Sequence, residues 1–270
     1  NMGKLLECVV RQQFVQHLER VFPDNIYGFR SGRGTQDAIG KVLDCVHQHR
    51  ANGKQVALLS MDASCAFDLI NHDVILNSLE IVGVGPLMCK FTESFLKGCT
   101  NFVQIGDSKS DEWAVETGSG QGRRNSPDYY NLATMSQALF SFLSDFIGYA
   151  DDEVDVVHGD TQEECNAKLK SIVEARQIWY RKIGLALNIS KTEIMGFNFE
   201  PAPIMIENNI IKAKKEIKFL SIKIQDNLKW ISHVNTLCGK IRAAASRISQ
   251  FPTKDFCTTA RFRDLFLLTL

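Results

Sequence analysis

Apolar positions recur along this chain in two periods. Between residues 3 and 22 they fall at Leu5, Leu6, Val9, Val10, Phe14, Leu18 and Val21, the spacing of an amphipathic helix, which Pro23-Asp24-Asn25 ends. A glycine-punctuated loop, Tyr27 to Gly34, leads into a second helix running to about Arg50. Val56-Ala57-Leu58-Leu59-Ser60-Met61 is short and mostly apolar, a strand that Asp62 closes. Asp73 to Val82 and Leu87 to Leu96 read as helices on either side of the breaker Gly83-Val84-Gly85-Pro86. Asn101 to Gly106 and Glu112 to Thr117 read as two strands joined by the polar turn Asp107 to Asp111. A helix is expected from Ser126-Pro127 to Leu143, with proline in the first turn, where its missing N–H costs least. Phe146 to Val157 reads as a hairpin whose tip carries Asp151 and Asp152. The capping-box pattern Thr161-Gln162-Glu163-Glu164 opens a helix that points Cys165, Leu169, Ile172, Val173, Ile178 and Trp179 inward until Gly184 stops it. Beyond the junction at Pro201 and Pro203, a small hairpin around Asn208-Asn209 precedes a strand from Ile217 to Ile224. From Trp230 onward, Val234, Leu237, Ile241, Ala244, Ala245 and Ile248 form one helical stripe.

The chemistry concentrates where two of these strands end. Adjacent aspartates are costly unless water or a cation neutralises them, so a tight turn presenting Asp151 and Asp152 points to a divalent-metal site. A solvated acidic turn is the bland alternative for such a pair taken alone. Asp62, delivered by a second strand, adds a third carboxylate. Three carboxylates around two cations are the arrangement used for in-line phosphoryl transfer. The loop Tyr27 to Ala38 offers Arg30 and Arg33, whose forked donors suit phosphate, although solvent-facing arginines on a tight loop fit the pattern equally.

Composition narrows the picture. At 270 residues, 44% hydrophobic and 23% charged, the chain is an ordinary globular sequence with room for a large core. No apolar run approaches the roughly 18 residues of a membrane span, and no secretory signal pattern opens the chain, so no membrane contact and an intracellular protein are expected. The eight cysteines (Cys8, Cys45, Cys65, Cys89, Cys99, Cys165, Cys238 and Cys257) contain no C-x-x-C pair and read as reduced, mostly buried thiols. His47 and His49 stand two apart on a helix and diverge. Net charge is zero, yet it is unevenly spread: +3 over residues 1–60, −9 over 61–199 and +6 over 200–270. An acidic centre between basic ends suits a metal site flanked by surfaces that grip a polyanion.

Val56 to Asp68 with Asn71-His72-Asp73, the block Gly118-Ser119-Gly120-Gln121-Gly122, the box Tyr149-Ala150-Asp151-Asp152 and the run Gly184 to Glu193 follow one another as the blocks of a reverse transcriptase do. The chain resembles the non-LTR (LINE-type) retrotransposon group, over about residues 27–250. The resemblance implies an α+β right-hand polymerase with fingers, a palm built on an antiparallel sheet and a partial thumb. Its parts would be fingers over 1–60, palm over 61–87, a fingers hairpin region over 88–118, palm again over 119–224 and partial thumb over 225–270. It implies an RNA-directed DNA polymerase that joins deoxynucleoside triphosphates to a DNA primer on an RNA template, with two Mg²⁺ ions, or Mn²⁺ as a substitute. A retrotransposon product of a eukaryote would act in nucleus and cytoplasm.

Carried over residue by residue, the resemblance makes Asp62, Asp151 and Asp152 the metal ligands and lets the main-chain carbonyl of Ala63 complete the triphosphate-bound ion. Phe67 becomes the steric gate beneath the sugar C2′, with a core phenylalanine as the plain alternative. Gln121 and Gly122 lie against the incoming nucleotide and template, and Lys191 sits near the leaving pyrophosphate; by itself it would be a surface lysine. The segment Tyr27 to Arg33 is similar to the family's GFRxGR block, which places Arg30 or Arg33 on template or triphosphate, and Ile217 to Ile224 becomes the primer grip. Several positions depart from the family pattern. Gly120 stands where proline is usual, Arg123 and Arg124 enter at the palm helix, Glu153 and Asp155 follow the aspartate pair, and Ser221 replaces a glycine. The chain also stops on an apolar, uncapped run, as an incomplete thumb would. These departures keep open a second reading, a catalytically silent relative that binds nucleic acid or serves as a scaffold. A phosphohydrolase with an aspartate nucleophile is a poorer fit, since its other parts are missing.

Overall fold

Every layer of the protein is built on one strand, Gln55–Ser64. The computed structural model describes residues 2–64, 66–120, 122–140 and 142–249. In chain order the elements are α1 (Met2–Val21), α2 (Thr35–Ala51), β1 (Gln55–Ser64), α3 (Ala66–Leu69), α4 (His72–Ile81), α5 (Pro86–Leu96), β2 (Thr100–Asn101), β3 (Gln104–Ile105), β4 (Ser108–Lys109) and β5 (Trp113–Ala114). Next come α6 (Ser126–Thr134), β6 (Asp145–Tyr149), β7 (Asp152–Gly159), α7 (Gln162–Lys182), β8 (Ala186–Leu187), β9 (Glu193–Phe197), β10 (Ile204–Ile206), β11 (Asn209–Ile211), β12 (Glu216–Phe219), β13 (Ile222–Gln225) and α8 (Ile231–Ser249).

The central sheet is antiparallel, ordered β6-β7-β1-β8, with β9 also paired to β1. Because side chains alternate across a strand, β1 serves two cores at once. Val56 and Leu58 pack with Val42, Cys45 and Val46 of α2 and with Ile217, Phe219 and Ile224 of the β12–β13 hairpin. Ala57, Leu59 and Met61 pack with Leu169, Ile172 and Val173 of α7 and with Ile204 and Ile206 of β10. Burial on both faces explains why β1 reads as a nearly continuous apolar run. A third core, at the Asp62 end of the sheet, joins Phe14 and Leu18 of α1, Ile75 and Leu79 of α4, Tyr129 and Tyr130 of α6 and Trp179 and Tyr180 of α7.

Local signals account for most element ends. The Asn71 side chain accepts the Asp73 N–H at 2.8 Å and starts α4, Thr161 Oγ1 accepts the Glu164 N–H at 3.2 Å and starts α7, and Pro86 opens α5. Several expectations are corrected. The proline-led helix ends at Thr134 and continues as a 3₁₀ turn, Met135–Phe140, instead of running to Leu143. The expected two-stranded hairpin is broken into the short pairs β2–β5 and β3–β4, and its turn lies at Gly106-Asp107, not across Asp107 to Asp111. The expected strand Ile217 to Ile224 is a hairpin, turning at Leu220-Ser221. On α7, Ile178 is 56% exposed, while Arg176 and Tyr180 take the inward face. On α1, Leu5, Leu6 and Val9 are exposed, while Glu7 is buried and the inward face is packed from Val10 onward. Val234, Leu237 and Ile241 of α8 are likewise exposed, and Ile248 has no described side chain. Of the six described cysteines, Cys45 and Cys165 are buried and the other four half-buried, all with free thiols; Cys65 and Cys257 lie outside the described residues. Among the described residues no helix is long and apolar enough to cross a membrane.

Candidate active site

Strand register brings the three aspartates to one end of the sheet. Asp62 of β1 is the direct cross-strand partner of Asp152 on β7, and Asp151 occupies the two-residue turn between the paired Tyr149 and Asp152. Directly opposed like charges are unfavourable without a cation between them. Loss of solvent, followed by the charges of Asp151 and Asp62, holds the Asp152 carboxyl above its ordinary pKa. Ala150, in the same turn, has φ +58°, a left-handed conformation that costs a non-glycine residue about 1–2 kcal/mol. The turn is braced from the side by the glycine-punctuated loop. The Tyr27 N–H donates to Gly148 O at 2.8 Å, the Gly148 N–H donates to Asn25 O at 2.9 Å, and a Cβ on Gly28 would stand 2.2 Å from Ala150 N.

Lys191 reaches this centre from the 3₁₀ turn Ile189–Lys191. Its Nζ lies 3.0 Å from Asp62 Oδ2, the same oxygen that receives Asn188 Nδ2 at 3.3 Å. The hydrogen bond to Asp62, and then the charges of Asp62, Asp151 and Asp152, raise the Lys191 pKa. Asn188 also donates its backbone N–H to Asp62 O at 2.8 Å, so this short segment is tied to the aspartate twice.

Phe67 is half-buried. It stacks on Tyr130 at 4.8 Å between centroids and meets Phe29 edge-on at 5.9 Å. It is therefore neither a closed core residue nor a free one. The Tyr130 hydroxyl is buried and has no hydrogen-bond partner among the described residues, and burial raises its pKa well above the usual value. Gly118 fits against the same loop at φ +91°, where a Cβ would come within 2.8 Å of Asp68 O, and its N–H donates to Ile70 O at 2.7 Å. Gly122 is exposed at φ +77° with open space around it, and Gln121 lies outside the described residues. Ala63 is buried and paired with Leu187 of β8.

The two arginines of the loop part ways, and only Arg30 departs from expectation. Arg30 is a structural clamp: its guanidinium is buried and bonded to the Glu19 carboxylate at 2.9 Å and to the carbonyls of Pro23, Ile26 and Glu19. No donor-rich face is left for a template or triphosphate, because the helix end and loop already use it. Arg33 remains near the surface, paired with the exposed Asp24 at 2.6 Å. Arg123 folds back over the Phe95 ring at 4.5 Å and donates to Phe95 O, so it does not crowd the aspartates.

Beneath the aspartates lies a buried polar network. Glu153 and Asp155 alternate with Val154 and Val156 along β7 and so face α7. Asp155 accepts both Arg176 Nη2 contacts at 3.2 Å and the Ser144 hydroxyl at 2.5 Å. Glu153 accepts Gln137 Nε2 at 2.5 Å and the Tyr180 hydroxyl at 2.6 Å, and Arg176 also donates to Gln137 Oε1. Arg176 is paired with Asp155, which leaves Glu153 with neutral donors, and burial pushes its carboxyl up to about 7. Tyr130, Gln137 and Arg176 carried no signal in the sequence pattern, whereas Phe29 lay within the block Tyr27 to Arg33. Asn188 carried one, through its three-residue spacing from Lys191.

Residues 1–224 match the family described as Reverse transcriptase (RNA-dependent DNA polymerase). A 115 kDa protein of the type-1 retrotransposable element R1DM from Drosophila melanogaster is 25% identical over 97% of the chain and 25% of its own length. The RNA-directed DNA polymerase from mobile element jockey of Drosophila funebris is 21% identical over 92% of the chain and 28% of its own length. The chain thus spans about a quarter of these relatives. Telomerase from Candida Tropicalis, solved in complex with a TWJ fragment of telomeric RNA, superposes with a TM-score of 0.64 over 96% of the chain and 40% of its own length, at 14% identity. That likeness is one of fold, an α+β polymerase architecture.

Proposed function

Because the chain belongs to the reverse transcriptase (RNA-dependent DNA polymerase) family, in its non-LTR retrotransposon branch, we propose that it extends a DNA primer with deoxynucleoside triphosphates along an RNA template. The observation that carries this reading is the register of β1 against β7, which sets Asp62 opposite Asp152 with Asp151 in the adjoining turn. Polymerases of this family generally use divalent ions. The donor set here, hard carboxylate oxygens whose mutual repulsion is only partly relieved by Lys191, fits Mg²⁺ and admits Mn²⁺. Asp62 and Asp151 would hold two such ions, with Asp152 beside them and the Ala63 carbonyl as a further donor. Bound there, the ions supply charge stabilisation to the attacking and leaving oxygens of phosphoryl transfer.

The chain's own residues do the rest. Phe67, backed by Tyr130, presents a fixed ring edge that excludes a 2′-hydroxyl by shape. Lys191 is a mobile cation on an exposed stem, able to leave Asp62 for the pyrophosphate as charge develops there. Gly122, and Gln121 beside it, supply the close approach to the nucleotide. Arg33 can exchange Asp24 for a template phosphate. An RNA template agrees with the RNA bound by the telomerase of like fold, and the reading carries an intracellular place of action.

One observation favours a silent nucleic-acid-binding domain instead: Lys191 already pairs with Asp62, where a divalent ion would otherwise bind. Primer extension on a primed RNA template with Mg²⁺ separates the two. Extension with deoxynucleotides that Asp151→Asn abolishes supports the polymerase. Salt-dependent binding of the same primed template without extension, in Mn²⁺ as well, supports the silent domain.

A further inference from the structure

At the opposite end of the same sheet, two histidines and an aspartate from three separate elements meet. His49 lies in the last turn of α2, on the face defined by Val42, Cys45 and Val46, one turn beyond the last two. Asp145 begins β6 opposite Val156 of β7, and His158 lies two residues past Val156, so both project from the sheet face that α2 covers. His49 Nε2 is 2.6 Å from Asp145 Oδ2, and the two imidazoles stack at 3.7 Å between centroids, 17° from parallel. One ligand atom from each of the three residues lies within 4.8 Å of the others. His47, by contrast, points to solvent.

We propose that His49, Asp145 and His158 form a binding site for a divalent transition ion, separate from the aspartate centre. Two imidazoles and one carboxylate with the remaining positions open to water suit Zn²⁺, Co²⁺ or Ni²⁺, whereas Mg²⁺ prefers oxygen donors. Metal–ligand bonds of about 2.0–2.1 Å need ligand atoms only roughly 3 Å apart, so the hydrogen bond between His49 and Asp145 has to open by less than an ångström and one of the stacked rings has to turn so that both imidazole lone pairs meet the ion. Lys168, one of two lysines whose charge reaches His158, donates to the His158 carbonyl and pairs with Glu164, and the other, Lys54, pairs with Asp160. The ion would pin the end of α2 to β6 and β7, roughly 20 Å along β7 from the Asp151 turn.

The test uses the full chain, stripped with chelator and titrated with ZnCl₂ by calorimetry and with Co²⁺ by visible absorption. One equivalent should bind, should raise the unfolding temperature and should resist millimolar Mg²⁺. His158→Gln and Asp145→Asn should each weaken binding by about tenfold or more, and Asp62→Asn should leave it unchanged. Should His158→Gln fail to fold, judged by circular dichroism in chelator, His49→Gln replaces it at a half-buried ring. Zinc binding that is absent from the unmodified chain, or equal in the chain and these variants, overturns the site and assigns any binding to the cysteines or the aspartates.

Discussion

Glu153 stands one residue from an expected metal ligand, but its own role is in the core. It is an acid held among neutral donors, and its pKa of about 7 means that the folded protein prefers it protonated. A carboxyl raised in this way contributes stability that is complete below its ordinary value of 4.5 and is lost as pH rises through about 7. Glu153→Gln keeps an acceptor for Gln137 and turns an N–H toward the Tyr180 oxygen, in place of the acceptor the carboxyl offered its hydroxyl, while removing the charge. Urea unfolding should therefore show the variant and the parent nearly equal at pH 5, and the variant ahead by roughly 2–4 kcal/mol at pH 8. Parallel stability curves across that range would show that Arg176 neutralises Glu153 as well as Asp155. The network also explains two residues that look out of place in the sequence. Asp155 falls at a core position of a strand because Arg176, about one helical turn beyond Ile172 and Val173, comes to meet it with both side chains fully buried.

Elements place these residues through a few backbone positions with little tolerance. The Leu220-Ser221 turn has φ of +47° and +68°, the mirror-image turn that favours glycine or asparagine. Ser221→Gly should stabilise the protein by about 0.5–1 kcal/mol in thermal or urea unfolding, the left-handed strain relieved less the added freedom of the unfolded chain. Gly28 is the opposite case. A methyl there meets the Ala150 backbone, so Gly28→Ala should displace the Asp151 turn and cut primer extension by about tenfold or more. Gly40→Ala, which adds a methyl in open space on α2, should leave extension intact. Much of this frame was legible beforehand. The apolar run before Asp62, the Thr161 cap and the hairpin around Asp151 are local patterns, and two strands ending in acids implied which aspartates could meet. What stayed hidden depends on contacts between distant segments. The fully buried Arg176 reads as a surface arginine until Asp155 is beside it, and His49 reads as half of a diverging pair until β7 brings His158. The loop arginines read as phosphate donors until Glu19 and three carbonyls occupy Arg30. Apolar spacing on α1 and α8 likewise predicted helices correctly but not what covers them.

At the scale of the molecule, three cores hold a sheet whose one end collects negative charge. α2 and the β12–β13 hairpin cover one face, α7 and β10 the other, and α1, α4 and α6 close around the Asp62 end. The β1–β7 register holds the backbones of Asp62 and Asp152 opposite each other, so without divalent ions the fold carries the repulsion of their carboxylates, offset only in part by Lys191. The raised pKa of Asp152 has the corresponding sign: its ionised form opposes folding, and the effect grows as pH rises through the folded-state pKa. Asp152→Asn removes that charge while keeping the shape of the side chain. In EDTA at neutral pH the variant should unfold at a temperature higher by roughly 1–3 °C, a modest gain because the group is partly solvent-screened. Added Mg²⁺ should raise the unfolding temperature of the parent chain and should do so less in the variant, since ions that bind the folded state stabilise it in proportion to their affinity. A variant less stable than its parent in EDTA would mean that Lys191 and Asn188 already balance the acidic end, and that the domain is built to rest in that ion-free state.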